Sequence, residues 1–124
     1  EPGHHGSTFA GGPVVAAAAL AVLGVVDDPA LLRQVREHGV TLREALLALD
    51  GVEEVRGRGL MLGVRLADGI DATALSAALL ERGLIDNVPE PGTLRLLPPL
   101  TVDVAQIEQA AALIAAALLS FSAR

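Results

Sequence analysis

A chain of 124 residues with 52% hydrophobic side chains is long enough for a buried core, but that core must be built from Ala, Leu and Val, because Phe9 and Phe121 are its only aromatics. The net charge of −6 and the shortage of rings argue against a nucleic-acid partner, which would call for a basic face or stacking platforms. The absence of cysteine excludes disulfides, thiolate metal sites and cysteine nucleophiles and fits a cytoplasmic protein, and the absence of lysine leaves arginine as the whole basic complement of nine.

A Gly-rich opening runs to Gly12, and Pro13 suits the first position of a helix because its missing N–H would be unpaired there. From Pro13 to about Val26 the sequence predicts a helix so apolar that most of its circumference should be buried, as a connector packed against something absent, so that this chain alone is expected to expose it. It is too short for a bilayer, which takes about 20 residues, and its Gly-rich approach is not that of a signal peptide. Asp28-Pro29 reads as an N-cap and first helical residue. In the helix that follows, Leu31, Val35, Gly39, Leu42, Leu46 and Leu49 recur at steps of three and four, opposite Arg33, Arg36, Glu37, Arg43 and Glu44, up to a stop near Asp50-Gly51.

The period then changes to two. Val52 to Arg56 and Leu60 to Leu66 are expected strands joined through Gly57-Arg58-Gly59. Asp71 caps a third helix packed through Leu75, Ala78 and Leu79 and closed by Gly83. Two short strands are expected at Leu84 to Val88 and Thr93 to Leu97, with Pro89-Glu90-Pro91-Gly92 as the turn. Asp103 with Gln106 forms a capping-box signature ahead of a last helix with Ile107, Ala111, Ile114, Leu118 and Phe121 on one face. This order of elements predicts an α/β two-layer sandwich, a small and mostly antiparallel sheet covered by helices, preceded by a long connector helix. The domain division expected is 1–50 for the loop and connector helices and 51–124 for the α/β unit.

Few residues carry chemistry by type and spacing. In the opening, Gly6, Gly11 and Gly12 permit close backbone approach while Ser7 and Thr8 offer hydroxyls ahead of a helix start, an arrangement that suits a phosphate and equally an ordinary Gly/Ser turn. On the predicted strand Leu94-Arg95-Leu96, the leucines face the core and Arg95 the other side, either as an exposed structural arginine or as a bidentate partner for a carboxylate. Gly57-Arg58-Gly59-Leu60-Met61-Leu62-Gly63 imitates a dinucleotide fingerprint but fails on spacing and precedes a strand instead of a helix. His4-His5 lacks a third ligand nearby, and no metal site is expected. His38 falls on the polar side of its helix and is expected in solvent. Glu53 and Glu54, as strand neighbours, should point to opposite faces and form no acid/base pair. Ser76 and Ser120 have no histidine partner in prospect.

Three stretches, in order, carry a family resemblance: His4-His5-Gly6-Ser7-Thr8-Phe9-Ala10-Gly11-Gly12-Pro13 before an alanine-rich helix, Val55-Arg56-Gly57-Arg58-Gly59-Leu60-Met61-Leu62-Gly63-Val64, and Leu94-Arg95-Leu96-Leu97-Pro98-Pro99-Leu100. Together they resemble the C-terminal portion of the class III aminotransferases, enzymes dependent on pyridoxal 5'-phosphate (PLP). Ala10 and Gly12 stand where that family usually has Gly and Asn, and neither change touches the hydroxyl pair. The resemblance implies the small C-terminal domain of the fold-type I PLP enzymes. It implies that Ser7 and Thr8 contact the cofactor phosphate of a neighbouring subunit in a homodimer. Arg95 would then meet a substrate carboxylate or an acidic residue of the large domain.

The small-molecule partners it implies are an amino acid and a 2-oxo acid, with neither nucleic acid nor membrane involved. PLP enzymes hold the cofactor covalently on a lysine amine, so in this lysine-free chain no residue is expected to be catalytic. The resemblance puts that lysine upstream of Glu1, in the remainder of the enzyme, and leaves the isolated chain inactive. The rival expectation is a non-catalytic binding or dimerisation module.

Overall fold

The computed structural model describes residues 7–121. Two compact units meet in sequence between Leu32 and Arg33, inside the first turn of the second helix. In the first unit a turn at Thr8 to Gly11 leads into α1 (Pro13–Val26), with Pro13 at its start and Gly12 as an N-cap that offers no side-chain hydrogen bond. Within this chain α1 exposes its apolar surface, as expected of a connector helix. None of its residues is buried, and Val14 and Leu20 are 80% and 70% exposed. Asp28 caps α2 (Pro29–Leu47) as expected, its Oδ1 accepting the Ala30 N–H at 2.8 Å.

In the second unit, α2 buries Val35, Gly39, Leu42 and Leu46, four of the six positions picked out by its period, while Leu49 lies in the turn after the helix. Gly39 is there for close approach. A Cβ on it would lie 2.3 Å from the carbonyl oxygen of Gly59, so the helix rests backbone to backbone on a hairpin turn. That hairpin joins β1 (Val52–Arg58) to β2 (Met61–Leu66) through Gly59-Leu60, two residues later than the sequence suggests, and Leu60 folds into the core.

Asp71 caps α3 (Ala72–Glu81), its Oδ1 accepting from Thr73 and Ala74. Gly83, at φ +86°, closes the helix in a Schellman motif with Leu84 N–H to Leu79 O and Gly83 N–H to Leu80 O, each at 3.0 Å. This closure holds Leu84 at the helix end, and the next strand, β3, runs over Asn87–Glu90 instead of beginning at Leu84. Pro89 is tolerated within β3 because that strand is an edge and its register shifts between Asn87 and Glu90. The strand β4 (Thr93–Leu96) returns antiparallel to β3, and α4 (Val104–Leu118) carries the expected Asp103/Gln106 capping box.

The sheet is open, four-stranded and wholly antiparallel, in the order β1-β2-β4-β3, so α3 crosses over and β4 inserts between β2 and β3. Val55, Leu62, Val64, Leu66, Leu94 and Leu96 form its buried face, with Leu75 and Leu79 of α3 and Ile107, Ile114 and Leu118 of α4 completing an aliphatic core. Each such side chain contributes roughly 1.5–3 kcal/mol by leaving water. This is the α/β two-layer arrangement expected from the order of elements. The other face of the sheet carries the polar residues.

Candidate functional site

The first candidate segment is the turn ahead of α1. The Ala10 N–H donates to the Ser7 carbonyl and the Gly12 N–H to that of Phe9, each at 3.3 Å, while Gly11 takes φ +74°. Ser7 and Thr8 are exposed, and the helix that follows has no side-chain cap. Two hydroxyls and the free N–H groups of an uncapped first turn suit the oxygens of a phosphate. His4 and His5 lie outside the described residues.

Arg95 belongs to the other compact unit, on the open face of the sheet. The pairing register aligns two rows across the strands there. One runs Arg56, Gly63, Arg95, Asn87, and the other Glu54, Arg65, Thr93, Glu90. Alternation along β4 sends Leu94 and Leu96 into the core and Arg95 outward, as its spacing predicts. The Nε–H of Arg95 donates to Asn87 Oδ1 at 2.9 Å. Arg56 reaches over Gly63, whose missing side chain would otherwise meet the Arg56 stem at 3.5 Å, and pairs with the Glu90 carboxylate. The Thr93 hydroxyl donates to the same Glu90 oxygen at 3.3 Å. Arg56, Gly63, Glu90, Thr93 and Arg95, with Met61 and Pro89, line a depression of about 480 Å³. A larger cavity of about 560 Å³, lined mostly by Leu, Ile and Pro side chains between α2, α4 and the segments 82–85 and 96–99, contains none of the expected site residues.

Two polar expectations, for Glu53/Glu54 and for His38, are revised. A bulge between Val52 and Glu54 breaks the strand alternation, so Glu53 and Glu54 are both exposed; Arg65 Nε donates to Glu53 Oε2 at 2.9 Å, and Glu54 pairs with Arg65 in register. That hydrogen bond, aided by the Glu53 charge, raises the Arg65 pKa further above its ordinary value. His38 is half-buried instead of solvated, its Nδ1 donating to the Val102 carbonyl at 3.0 Å. The Ser76 hydroxyl donates to Asp86 Oδ1 at 2.9 Å, a partner spacing did not suggest, while Asp86 Oδ2 is buried without a hydrogen bond. Burial pushes the Asp86 carboxyl above its usual range, against the opposing effect of Ser76.

The sequence reading finds Arg95 but misses Asn87 and Glu90, because a strand drawn from Leu84 hides their register. The arginine excess beside an Arg-Gly-x-Gly turn was the signal available for Arg56. Among the described residues no group of three or more His, Asp or Glu gathers as a metal site, and no single helix is long and apolar enough to cross a membrane.

Comparison with known proteins shows a match of residues 1–118 to the family described as aminotransferase class-III. An acetylornithine aminotransferase of Corynebacterium efficiens is 43% identical over 122 residues, which cover 98% of this chain and 30% of that protein. An ornithine aminotransferase of Bordetella pertussis is 44% identical over 117 residues, covering 93% of this chain and 28% of the relative. Among solved structures, the acetylornithine aminotransferase of Elizabethkingia anophelis superimposes with a TM-score of 0.80 at 34% identity, over 98% of this chain and 33% of the other. The ornithine aminotransferase of Toxoplasma gondii does so with a TM-score of 0.81 at 30% identity, over 98% of this chain and 30% of the other. The chain thus spans about 30% of the length of the relatives it matches.

Proposed function

The chain belongs to the class-III aminotransferase family, and from that premise we propose that it is the C-terminal part of a PLP-dependent aminotransferase, most nearly an acetylornithine aminotransferase. The observation that carries this reading is 43% identity to such an enzyme across 98% of the chain. The reaction proposed is amino transfer from N-acetylornithine to 2-oxoglutarate in arginine biosynthesis. A cytoplasmic setting belongs to the same reading, in keeping with a chain free of cysteine.

When bound, PLP supplies an electron sink for the transfer of the amino group. The residues present fit its phosphate: Ser7 and Thr8 would donate to it, across the interface of a homodimer, from the exposed turn that leads into α1. Arg95 would hold a substrate carboxylate through its fork of donors. The segment 51–124 is read as the small domain that helps exclude water from the substrate, and 1–50 as the phosphate loop with its connector helices. Since the chain has no lysine, the covalent attachment of the cofactor and the proton transfers fall to the remainder of the enzyme.

A second reading, ornithine aminotransferase, is favoured by the 44% identity to the Bordetella pertussis enzyme. The full-length enzyme assayed with acetylated and free ornithine separates the two: higher kcat/KM with N-acetylornithine is expected, and preference for ornithine would move the assignment. In the same enzyme Thr8→Ala should weaken PLP retention about tenfold, the scale of a lost hydrogen bond to a charged group. Unchanged retention would remove Ser7 and Thr8 from the phosphate site.

A further inference from the structure

Two arginines of the open face, Arg56 and Arg95, are treated differently by β3. Arg56 is given a carboxylate, that of Glu90. Arg95 is given a neutral amide, the side chain of Asn87 directly opposite it in register. Among the described residues Arg95 has no carboxylate within ion-pair distance, so of the two guanidinium groups lining the depression it is the one whose charge is uncompensated.

The hydrogen bond itself is selective. An arginine Nε–H can only donate, so the amide turns its oxygen to it, and a bond at Nε alone holds the plane of the guanidinium without occupying the Nη edge. Gly63, between Arg56 and Arg95 in the same row, adds no side chain of its own and leaves that space to the Arg56 stem on its way to Glu90. An exposed arginine would otherwise lose rotamer freedom whenever it captured a ligand, and orienting it in advance lowers that cost. An Asp or Glu opposite it would orient it equally well but would also neutralise it before a substrate arrived.

We infer that Asn87 is a positioning residue that orients the Arg95 guanidinium while leaving its charge and its Nη edge for a carboxylate ligand. The inference rests on Arg95 being the carboxylate anchor proposed above. It makes an unusual demand on the variants: Asn87→Asp keeps an acceptor for Nε–H, and so preserves local structure better than Asn87→Ala, yet must bind carboxylates worse.

The test measures the dissociation constant of glutarate, a dicarboxylate without the reactive keto group, for the full-length enzyme by calorimetry. Thermal midpoints are recorded alongside. Relative to the parent, glutarate should weaken about tenfold in Asn87→Asp, about threefold in Asn87→Ala, and at least tenfold in Arg95→Ala. The thermal midpoint of Asn87→Asp should be no lower than that of Asn87→Ala, and the KM for 2-oxoglutarate should rise by a larger factor than kcat falls. Weakening in Arg95→Ala with Asn87→Asp binding as well as Asn87→Ala or better would overturn the inference alone. Glutarate affinity unaffected by Arg95→Ala would overturn the anchor reading and this inference with it.

Discussion

At the level of single residues, strand alternation decides what can be read and what cannot. Arg95 is legible because leucines flank it on both sides; its environment is not, since Asn87 and Arg56 come from strands 8 and 39 positions away in the chain and only the register unites them. Asp86 was invisible for the same reason: nothing in the order of residues says that the loop after α3 turns its carboxylate back to Ser76. Its unpartnered Oδ2 and its raised pKa lead to a pH-dependent prediction. A carboxyl whose folded pKa lies above its unfolded value favours the folded state most when protonated, below the unfolded pKa, and that advantage is lost as pH rises through the folded pKa. The ionised form therefore weakens the fold at neutral pH. Asp86→Asn, which keeps an acceptor for Ser76, should raise the thermal midpoint at neutral pH and lose that advantage below the ordinary carboxylate range. A midpoint difference independent of pH would contradict the burial argument.

Helices and turns show the same division one level up. The ends of α3 and α4 follow from the chain directly, because Asp71, Gly83 and the Asp103/Gln106 pair act on backbone groups within a few positions of themselves. The start of β3 does not, since it is set by where the Schellman turn releases the chain and by which partner strand is present. Gly39 lies between the two cases. Its place on the buried stripe of α2 is periodic, but the reason it must be glycine is the Gly59 carbonyl of a hairpin twenty residues on. Gly39→Ala should accordingly destabilise the fold by about 1–3 kcal/mol, the usual scale of overpacking, in spite of alanine's better helix propensity. A stability equal to or above the parent in denaturant unfolding would mean that α2 can shift away from the hairpin at no cost.

On the scale of the whole molecule, α1 differs from the other described helices in burying none of its residues. Val14, Val15, Leu20, Val22, Leu23 and Val25 are all more than half exposed, on a helix with neither a polar face nor a buried residue. Such a surface is an association hazard in water. The isolated chain is expected to self-associate in light scattering, and replacing Val14, Leu20 and Val25 with Gln should reduce the association. A monodisperse monomer of the parent chain would count against this.

By itself the sequence determined what depends on neighbours along the chain: the α/β order of elements, the helix caps, the buried stripe of α2, the outward direction of Arg95 and three motifs of one enzyme family. Only the tertiary structure decided the strand order β1-β2-β4-β3, the row that aligns Arg56, Gly63, Arg95 and Asn87, and the partners of His38 and Ser76. The reason is physical. Caps and amphipathic periods are short-range consequences of hydrogen bonding and burial, whereas register and cross-strand partners depend on which distant segments close the core together.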